Sequence, residues 1–248
     1  MEHGGLGGAR PGQSGRPLLH LYGGPQEGSL TGTEAQLGQA LTSWQRFWIA
    51  GRSRSHLPAN EDFWITEFNI NDEFGNGDKL PENKGTWGNG LGNVYCLNYW
   101  LAHEPHVKIA LLHELARVID GDGPGIHAHG RAWGLFARAL TGRTRARALD
   151  MAGVPAVAGS GEATKGVVGW AFDAPGHSGT TAYALVNFTG TRQVITGLPQ
   201  LPGATVARYV QASAPLAAAT NPGETTGTIG RGRFLLPAYS VTVVSSRP

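Results

Sequence analysis

The chain is poor in features that define several classes of protein. It has one cysteine, Cys96, in 248 residues, so it cannot form an internal disulfide framework or a zinc site built on several thiolates. No stretch approaches the roughly 20 continuous apolar residues of a membrane helix. The net charge is only +2, and the single dense basic run, Arg143 with Arg145 and Arg147, predicts a solvated helix end. We therefore expect neither a membrane nor a nucleic acid as a partner.

The N-terminal residues of the sequence predict no export signal. The first 15 residues are rich in glycine and have no apolar core segment, so they predict neither a signal peptide nor an anchor. We expect residues 1–16 to be disordered. This pattern suggests a cytoplasmic protein if the chain is complete, but a truncated chain is equally compatible with secretion, so the compartment stays open.

Charge and tryptophan divide the chain into two parts. Residues 1–150 hold 29 of the 38 charged side chains and six of the seven tryptophans, whereas the remainder is rich in Gly, Thr, Val, Ala and Pro. A change of this kind, next to the Gly and Pro cluster at 153–161, predicts a domain boundary. We expect one domain over 17–150 and a second over 160–248.

Apolar runs in the first domain alternate with helix-like segments. Strands are predicted at 17–22, 63–70 and 107–115, and helices at 34–50, 91–102 and 132–140. This order is typical of βα units on a parallel sheet. The second domain instead shows short strands between Gly, Pro and Asn turns, at 166–173, 181–189, 193–195, 205–210, 232–236 and 240–245. It predicts an antiparallel β-sandwich with a structural or sugar-binding support role.

Polar residues of the first domain fall where its predicted strands end. These residues are His20 and Tyr22, then Glu67 and Asn69, then His113 and Glu114. Barrel enzymes carry their chemistry at the C-terminal ends of the strands. A carboxylate flanked by apolar side chains, as Glu67 is, is costly to bury without a partner or a task. A buried salt bridge to an arginine is the structural alternative to a catalytic role.

The hexapeptide Trp64-Ile65-Thr66-Glu67-Phe68-Asn69 resembles the seventh-strand motif of retaining glycoside hydrolases of clan A, including alpha-L-arabinofuranosidases and xylosidase-like enzymes. Leu19-His20-Leu21-Tyr22 is similar to their sixth-strand His-x-Tyr. The segments 97–119, 131–140 and 236–243 resemble helix 7 with strand 8, helix 8, and the last strand of the sandwich that follows such barrels. The resemblance implies an α/β fold, in which a partial (β/α) TIM-type barrel precedes an antiparallel β-sandwich.

The same resemblance implies roles for individual residues. Glu67 would be the nucleophile that cleaves O-glycosyl bonds of poly- or oligosaccharides with retention, without a cofactor. His20 and Tyr22 would orient Glu67, and Asn69 and His113 would contact sugar hydroxyl groups. We expect Trp87 to be exposed and to stack on a sugar ring.

One requirement of the family has no counterpart in the sequence. Retaining enzymes need a second carboxyl group about 5 to 5.5 Å from the nucleophile, which in clan A belongs to an Asn-Glu pair on strand 4. Asn60-Glu61 precedes the strand of Glu67 and so lies at its wrong end. Glu114 is on the next strand, but alternation favours His113 as the inward residue there. We therefore expect an N-terminally incomplete enzyme whose open barrel edge leads to self-association or poor solubility.

Two rival interpretations remain. The histidines at 103, 106, 113, 127 and 129 suggest a metal site, but Arg117 stands where a metalloprotease helix would have its second histidine, so we expect no metal. The second rival is a non-catalytic carbohydrate-binding protein or an inactive glycosidase remnant.

Two further motifs carry no functional prediction. We interpret Gly88–Asn93 as a helix-entry loop, and the glycosylation sequence at Asn187 as a chance match because it lies within a strand.

Overall fold

A computed structural model describes a mixed α/β protein. It describes residues 18–23, 34–54, 61–70, 87–112, 126, 128–158, 165–176, 179–201, 206–211, 224–228 and 233–245. The expectations for residues 1–16, Asn60, His113 and Glu114 lie outside these ranges. None of the described helices combines the length and hydropathy of a membrane span.

The first part of the described chain alternates strands and helices. It contains β1 (Leu18–Gly23), α1 (Glu34–Arg54), β2 (Phe63–Ile70), α2 (Trp87–His103), β3 (Val107–Leu112) and α3 (Ala128–Leu140). The three strands form a parallel sheet in the order β1-β2-β3. The predicted order of elements and the predicted parallel pairing are confirmed.

Helix α2 begins earlier than its sequence suggests. Gly88–Asn93 lies within this helix, so its interpretation as a helix-entry loop is wrong. Glycine disfavours helix by about 1 kcal/mol per residue. Here the buried glycines at 88, 90 and 92 lie in the first two turns, which pack into the core through Trp87 and Leu91. Burial of this helix face offsets the poor intrinsic propensity.

The second part of the described chain is antiparallel. Its strands are β4 (Arg145–Ala148), β5 (Val167–Asp173), β6 (Thr180–Asn187), β7 (Gln193–Thr196), β8 (Val206–Gln211), β9 (Glu224–Thr228), β10 (Arg233–Leu236) and β11 (Ser240–Ser245). Six of them form one sheet in the order β4-β5-β6-β11-β8-β9, and β10 pairs with β7. The two edge strands of the larger sheet, β4 and β9, were not predicted.

The basic run is not the solvated helix end that we expected. Helix α3 ends at Leu140, and the guanidinium of Arg143 donates to Thr181 Oγ1 at 3.0 Å and to the Arg138 carbonyl at 3.0 Å. Burial lowers the pKa of Arg143. The next two arginines lie on β4, which pairs with β5. The three arginines thus lie between the end of α3 and the edge strand β4 and on that strand. The antiparallel sheet therefore begins before residue 150.

One apolar core joins the helices to the six-stranded sheet. Trp44 and Trp100 meet edge to face in its centre at 5.4 Å, and Phe136 of α3 meets Phe172 of β5 at 6.0 Å. Side chains at even positions of β6 belong to this core, whereas Tyr183 and Leu185 point to a second core beneath β7 and β10. The central strands β5, β6 and β11 of this sheet are therefore buried on both faces.

Candidate active site

Glu67 lies near the C-terminal end of β2, the central strand of the parallel sheet. The side chains of Phe63, Ile65 and Phe68 are fully buried, and those of Thr66 and Glu67 are partly exposed. Strict alternation would place position 67 with 63 and 65. The burial pattern changes phase instead, so Glu67 lies on the face opposite the helices.

The pairing register shows where this change of phase occurs. Along β1, Leu19 pairs with Ile65 but the next residue, His20, pairs with Glu67. Along β3, the two steps from Ala110 to Leu112 correspond to three steps on β2, from Ile65 to Phe68. The register of β1 thus skips Thr66, and that of β3 has one extra residue of β2 between Ile65 and Phe68, which is the arrangement of a β-bulge.

The register also brings four predicted site positions together. His20 is the Cα partner of Glu67, and Tyr22 is the Cα partner of Asn69. Adjacent strands run about 4.8 Å apart, so the two pairs lie at the C-terminal end of the sheet, separated by the pair Leu21–Phe68. Leu112, paired with Phe68, is the last described residue of β3. The fifth position, His113, follows it outside the described residues.

The apolar side chains around Glu67 fix the strand on its other face. The ring of Phe68 meets Trp100 edge to face at 4.8 Å and lies 6.0 Å from Trp133. Ile65 is buried in the same core. These contacts hold the residues on either side of Thr66 and Glu67 against the helices, so the pair itself is presented to the opposite face.

That opposite face includes exposed apolar side chains. Leu18 of β1 is 49% exposed and Leu111 of β3 is 52% exposed, although Ala110 and Leu112 pack against the helical core. Leu18 is the Cα partner of Trp64, which is partly exposed. Among the described residues, the face that carries Glu67 is much less covered than the helix-facing side.

Trp87 differs from the expectation of an exposed stacking surface. Its side chain is 0% exposed, and its indole N–H donates to the backbone carbonyl of Tyr239. An indole whose faces and polar atom are both used within the core has no free face for a sugar ring. The expected exposure of Trp87 is wrong, and the residue instead joins α2 to the turn before β11.

Polar groups at the other end of the sheet have structural contacts. Asp62 is 3.2 Å from His106 Nδ1 and 3.3 Å from Lys108 Nζ, and Glu104 accepts a hydrogen bond from Trp48 at 3.1 Å. These residues surround the N-terminal ends of β2 and β3, as does exposed Glu61. Within the described ranges, no three potential metal-binding side chains converge. His113 and His127 of the metal hypothesis lie outside those ranges.

Sequence reasoning missed a carboxylate that connects the two parts of the chain. Glu34 Oε1 accepts from the backbone N–H of Ala158 at 3.1 Å, and Oε2 accepts from that of Gly190 at 2.8 Å. Its only sequence signal is an acidic residue in the first turn of a helix, which is ordinarily explained by the helix dipole. The contact fixes the start of α1, the helix that follows β1.

Comparison with known proteins gives a result at the level of fold. No family model matches the chain, and no curated protein matches its sequence. Solved structures do match. The GH51 arabinofuranosidase from Xanthomonas axonopodis pv. citri superposes with a TM-score of 0.61 at 15% identity, over 92% of this chain and 52% of that one.

Two further structures give the same result. The 4-O-alpha-L-rhamnosyl-beta-D-glucuronidase from Fusarium oxysporum 12S matches with a TM-score of 0.54 at 14% identity, over 93% of this chain and 53% of that one. The GH44 xyloglucanase from Paenibacillus polymyxa matches with a TM-score of 0.51 at 9% identity, over 92% of this chain and 45% of that one. This chain thus spans about half the length of these glycoside hydrolases. Its fold is similar to theirs, which are of TIM-barrel type.

Proposed function

We propose that the chain is the C-terminal part of a glycoside-hydrolase barrel with a β-sandwich after it, and that Glu67 is the nucleophile of a retaining glycosidase. The observation that carries this proposal is the register of β1 and β2. It pairs His20 with Glu67 and Tyr22 with Asn69 at the C-terminal end of parallel strands, where barrel enzymes hold their catalytic groups. The likeness to glycoside hydrolases supports the same assignment at the level of fold.

In the proposed reaction, the carboxylate of Glu67 attacks the anomeric carbon of the substrate. The bond to the glycosidic oxygen breaks, and that oxygen leaves with a proton from an acid. Water then attacks the anomeric carbon of the glycosyl-enzyme ester and gives a proton to the conjugate base of that acid, and Glu67 is released as a carboxylate. His20 and Tyr22 orient Glu67, while Asn69 and His113 contact sugar hydroxyl groups; no cofactor takes part. Trp87 has no place in this site because it is buried.

The acid/base carboxyl group is proposed to come from further polypeptide that completes the barrel. Glu61 lies at the opposite end of β2 from Glu67 and is too distant for this role. Two observations support an added part: the chain spans about half the length of the enzymes it resembles, and Leu18 and Leu111 are exposed on the face of Glu67. Without that part, the outer edges of β1 and β3, which pair with no further described strand, are expected to favour self-association.

The proposed substrates are poly- or oligosaccharides. The similar structures include an arabinofuranosidase, a rhamnosyl-glucuronidase and a xyloglucanase, which act on different sugars. The class of reaction is therefore better supported than the identity of the sugar.

Covalent trapping tests this function. A panel of 2-deoxy-2-fluoro glycosides with good leaving groups needs little help from an acid and should leave a stable adduct, measured by intact-protein mass spectrometry. We expect the adduct on the peptide that contains Glu67. The Glu67→Gln variant should form none, and Glu61→Gln, which removes a carboxylate at the other end of the same strand, should form as much as the wild type.

The absence of an adduct with every member of the panel, from folded protein, would contradict the proposed enzyme. Retention of sugar binding in that sample, measured by calorimetry, would support the non-catalytic binding alternative. An adduct on a different carboxylate would keep the enzyme class but overturn the assignment of Glu67.

A further inference from the structure

The bulge in β2 makes neighbours of two side chains that a regular strand would separate. The register of β1 skips Thr66, and that of β3 has its extra β2 residue between Ile65 and Phe68, both of which are fully buried. Thr66 and Glu67 are both partly exposed. Two consecutive residues of the strand therefore share the face opposite the helices.

We propose that Thr66 is a positioning residue for Glu67, as the extra residue of a β-bulge that aims the carboxylate. This inference rests on the proposed function of Glu67 and names a residue through which it acts. A bulge bends the strand, increases its local twist and re-aims the side chain beside it. The backbone of Thr66 performs this role. Its hydroxyl-bearing side chain lies beside Glu67 on the face of the sheet opposite the helices.

Deletion of Thr66 would remove the bulge without turning Glu67 to the other face of the sheet. If Thr66 is deleted, Ile65 is followed directly by Glu67 and then Phe68, and regular alternation leaves Ile65 and Phe68 towards the helices. The pairing of His20 with Glu67 needs no change. The deletion therefore removes the bend and twist of the bulge but keeps the face and the register.

Cysteine labelling tests the face assignment without any need for catalysis. Burial raises the pKa of Cys96 well above its usual value, and the thiol is fully buried, so the native chain provides a silent background. Single cysteines at positions 65, 66, 67 and 68 are treated with a maleimide under native conditions. We expect Thr66→Cys and Glu67→Cys to react at least tenfold faster than Ile65→Cys and Phe68→Cys. Reaction at 66 and 68 with protection at 67, the pattern of a regular strand, would overturn the proposal.

Inactivation kinetics test whether the bulge at Thr66 orients the carboxylate of Glu67. With the 2-fluoro glycoside that reacts best, deletion of Thr66 should lower the maximal rate of inactivation about 100-fold and change the half-saturating concentration less than threefold. Thr66→Ala, which keeps the extra backbone residue, should lower the rate less than fivefold. A deletion variant that is folded by circular dichroism and reacts at the wild-type rate would overturn the positioning role.

The two experiments separate the possible failures. If the wild-type chain forms no adduct and the cysteine variants at 66 and 67 are labelled, the proposed function is overturned, and with it the positioning role, while the bulge itself is present. An adduct at Glu67 combined with the labelling pattern of a regular strand would leave the proposed function intact and overturn this inference alone.

Discussion

The parallel and antiparallel sheets of this protein differ in how many of their faces are buried. The six-stranded sheet packs on the helices with one face and on β7 and β10 with the other. The parallel sheet packs on the helices with one face, while Leu18 and Leu111 are exposed on the other. Glu67 lies on this less covered face. The proposed nucleophile thus lies where the parallel sheet is open, whereas the central strands of the antiparallel sheet are enclosed.

A matched pair of leucines gives the largest expected effect. Leu185 of β6 is 0% exposed, and it packs so closely on Gly169 that a β-carbon there would lie 2.6 Å from Leu185 Cδ2. Leu185→Ala should lower the free energy of unfolding by about 3 kcal/mol, because it leaves a cavity. Leu111→Ala makes the same chemical change on the open face of β3 and should cost less than about 1 kcal/mol. Urea denaturation of both variants measures the difference.

An equal loss of free energy of unfolding in Leu185→Ala and Leu111→Ala would contradict the difference in burial between the two sheets. Such a result would mean that the face of Leu111 is covered in solution, and sedimentation of the wild-type chain would then show whether a second copy covers it.

The periodicity of the sequence predicted most of the strands because it reports burial. β2 and β11 have their predicted bounds, β1 and β8 are each shifted by one residue along the chain, and β5 begins one residue later than predicted. The two strands that were missed, β4 and β9, are edge strands with mostly exposed side chains. A strand that buries little carries no apolar alternation for sequence reasoning to detect.

The site was predictable only in part for a related reason. The positions His20 and Glu67 were identified from strand ends and from a family resemblance, and their pairing in register agrees with that placement. Nothing in the local sequence marks Thr66 as an extra residue, because a bulge is defined by the neighbouring strands. The burial of Trp87 was missed for the same reason: its partner, the carbonyl of Tyr239, is distant in sequence.

A buried amide in the antiparallel part gives the second largest effect. Asn187 Nδ2 donates to the carbonyls of Thr191 and Pro237, each at 2.8 Å, and Oδ1 accepts from the backbone N–H and the hydroxyl of Thr189. Asn187→Ala removes all four bonds and leaves buried polar groups without partners. The expected loss is about 2 to 3 kcal/mol, measured as the shift of the urea midpoint at constant slope.

The control for this prediction is Gln193→Ala, which removes an amide that also donates to Thr189 and Thr191 but lies nearer the surface. It should cost less than about 1 kcal/mol, because water replaces the lost partners. An Asn187→Ala variant as stable as the wild type would show that the turn is held by packing rather than by its hydrogen bonds.

The smallest expected effect concerns the contact between the two parts. The N–H groups of Ala158 and Gly190 each donate to one oxygen of Glu34. In Glu34→Gln, an NH₂ group replaces one of these oxygens and cannot accept a hydrogen bond, so one of the two N–H groups loses its acceptor. The expected loss is about 1 kcal/mol. Glu61→Gln, at an exposed position, should leave the free energy of unfolding unchanged within error.

A second readout of Glu34→Gln reports the charge itself. Burial, and after it the negative charge of Glu34, raises the pKa of Tyr239. Because a nearby negative charge disfavours the phenolate, its removal should lower the pKa of Tyr239 towards the usual value of about 10. The measurement is the difference in ultraviolet absorbance between the variant and the wild type as the pH rises. An unchanged titration would indicate that Glu34 is not held beside this turn, and the start of α1 would then be fixed by the helical core alone.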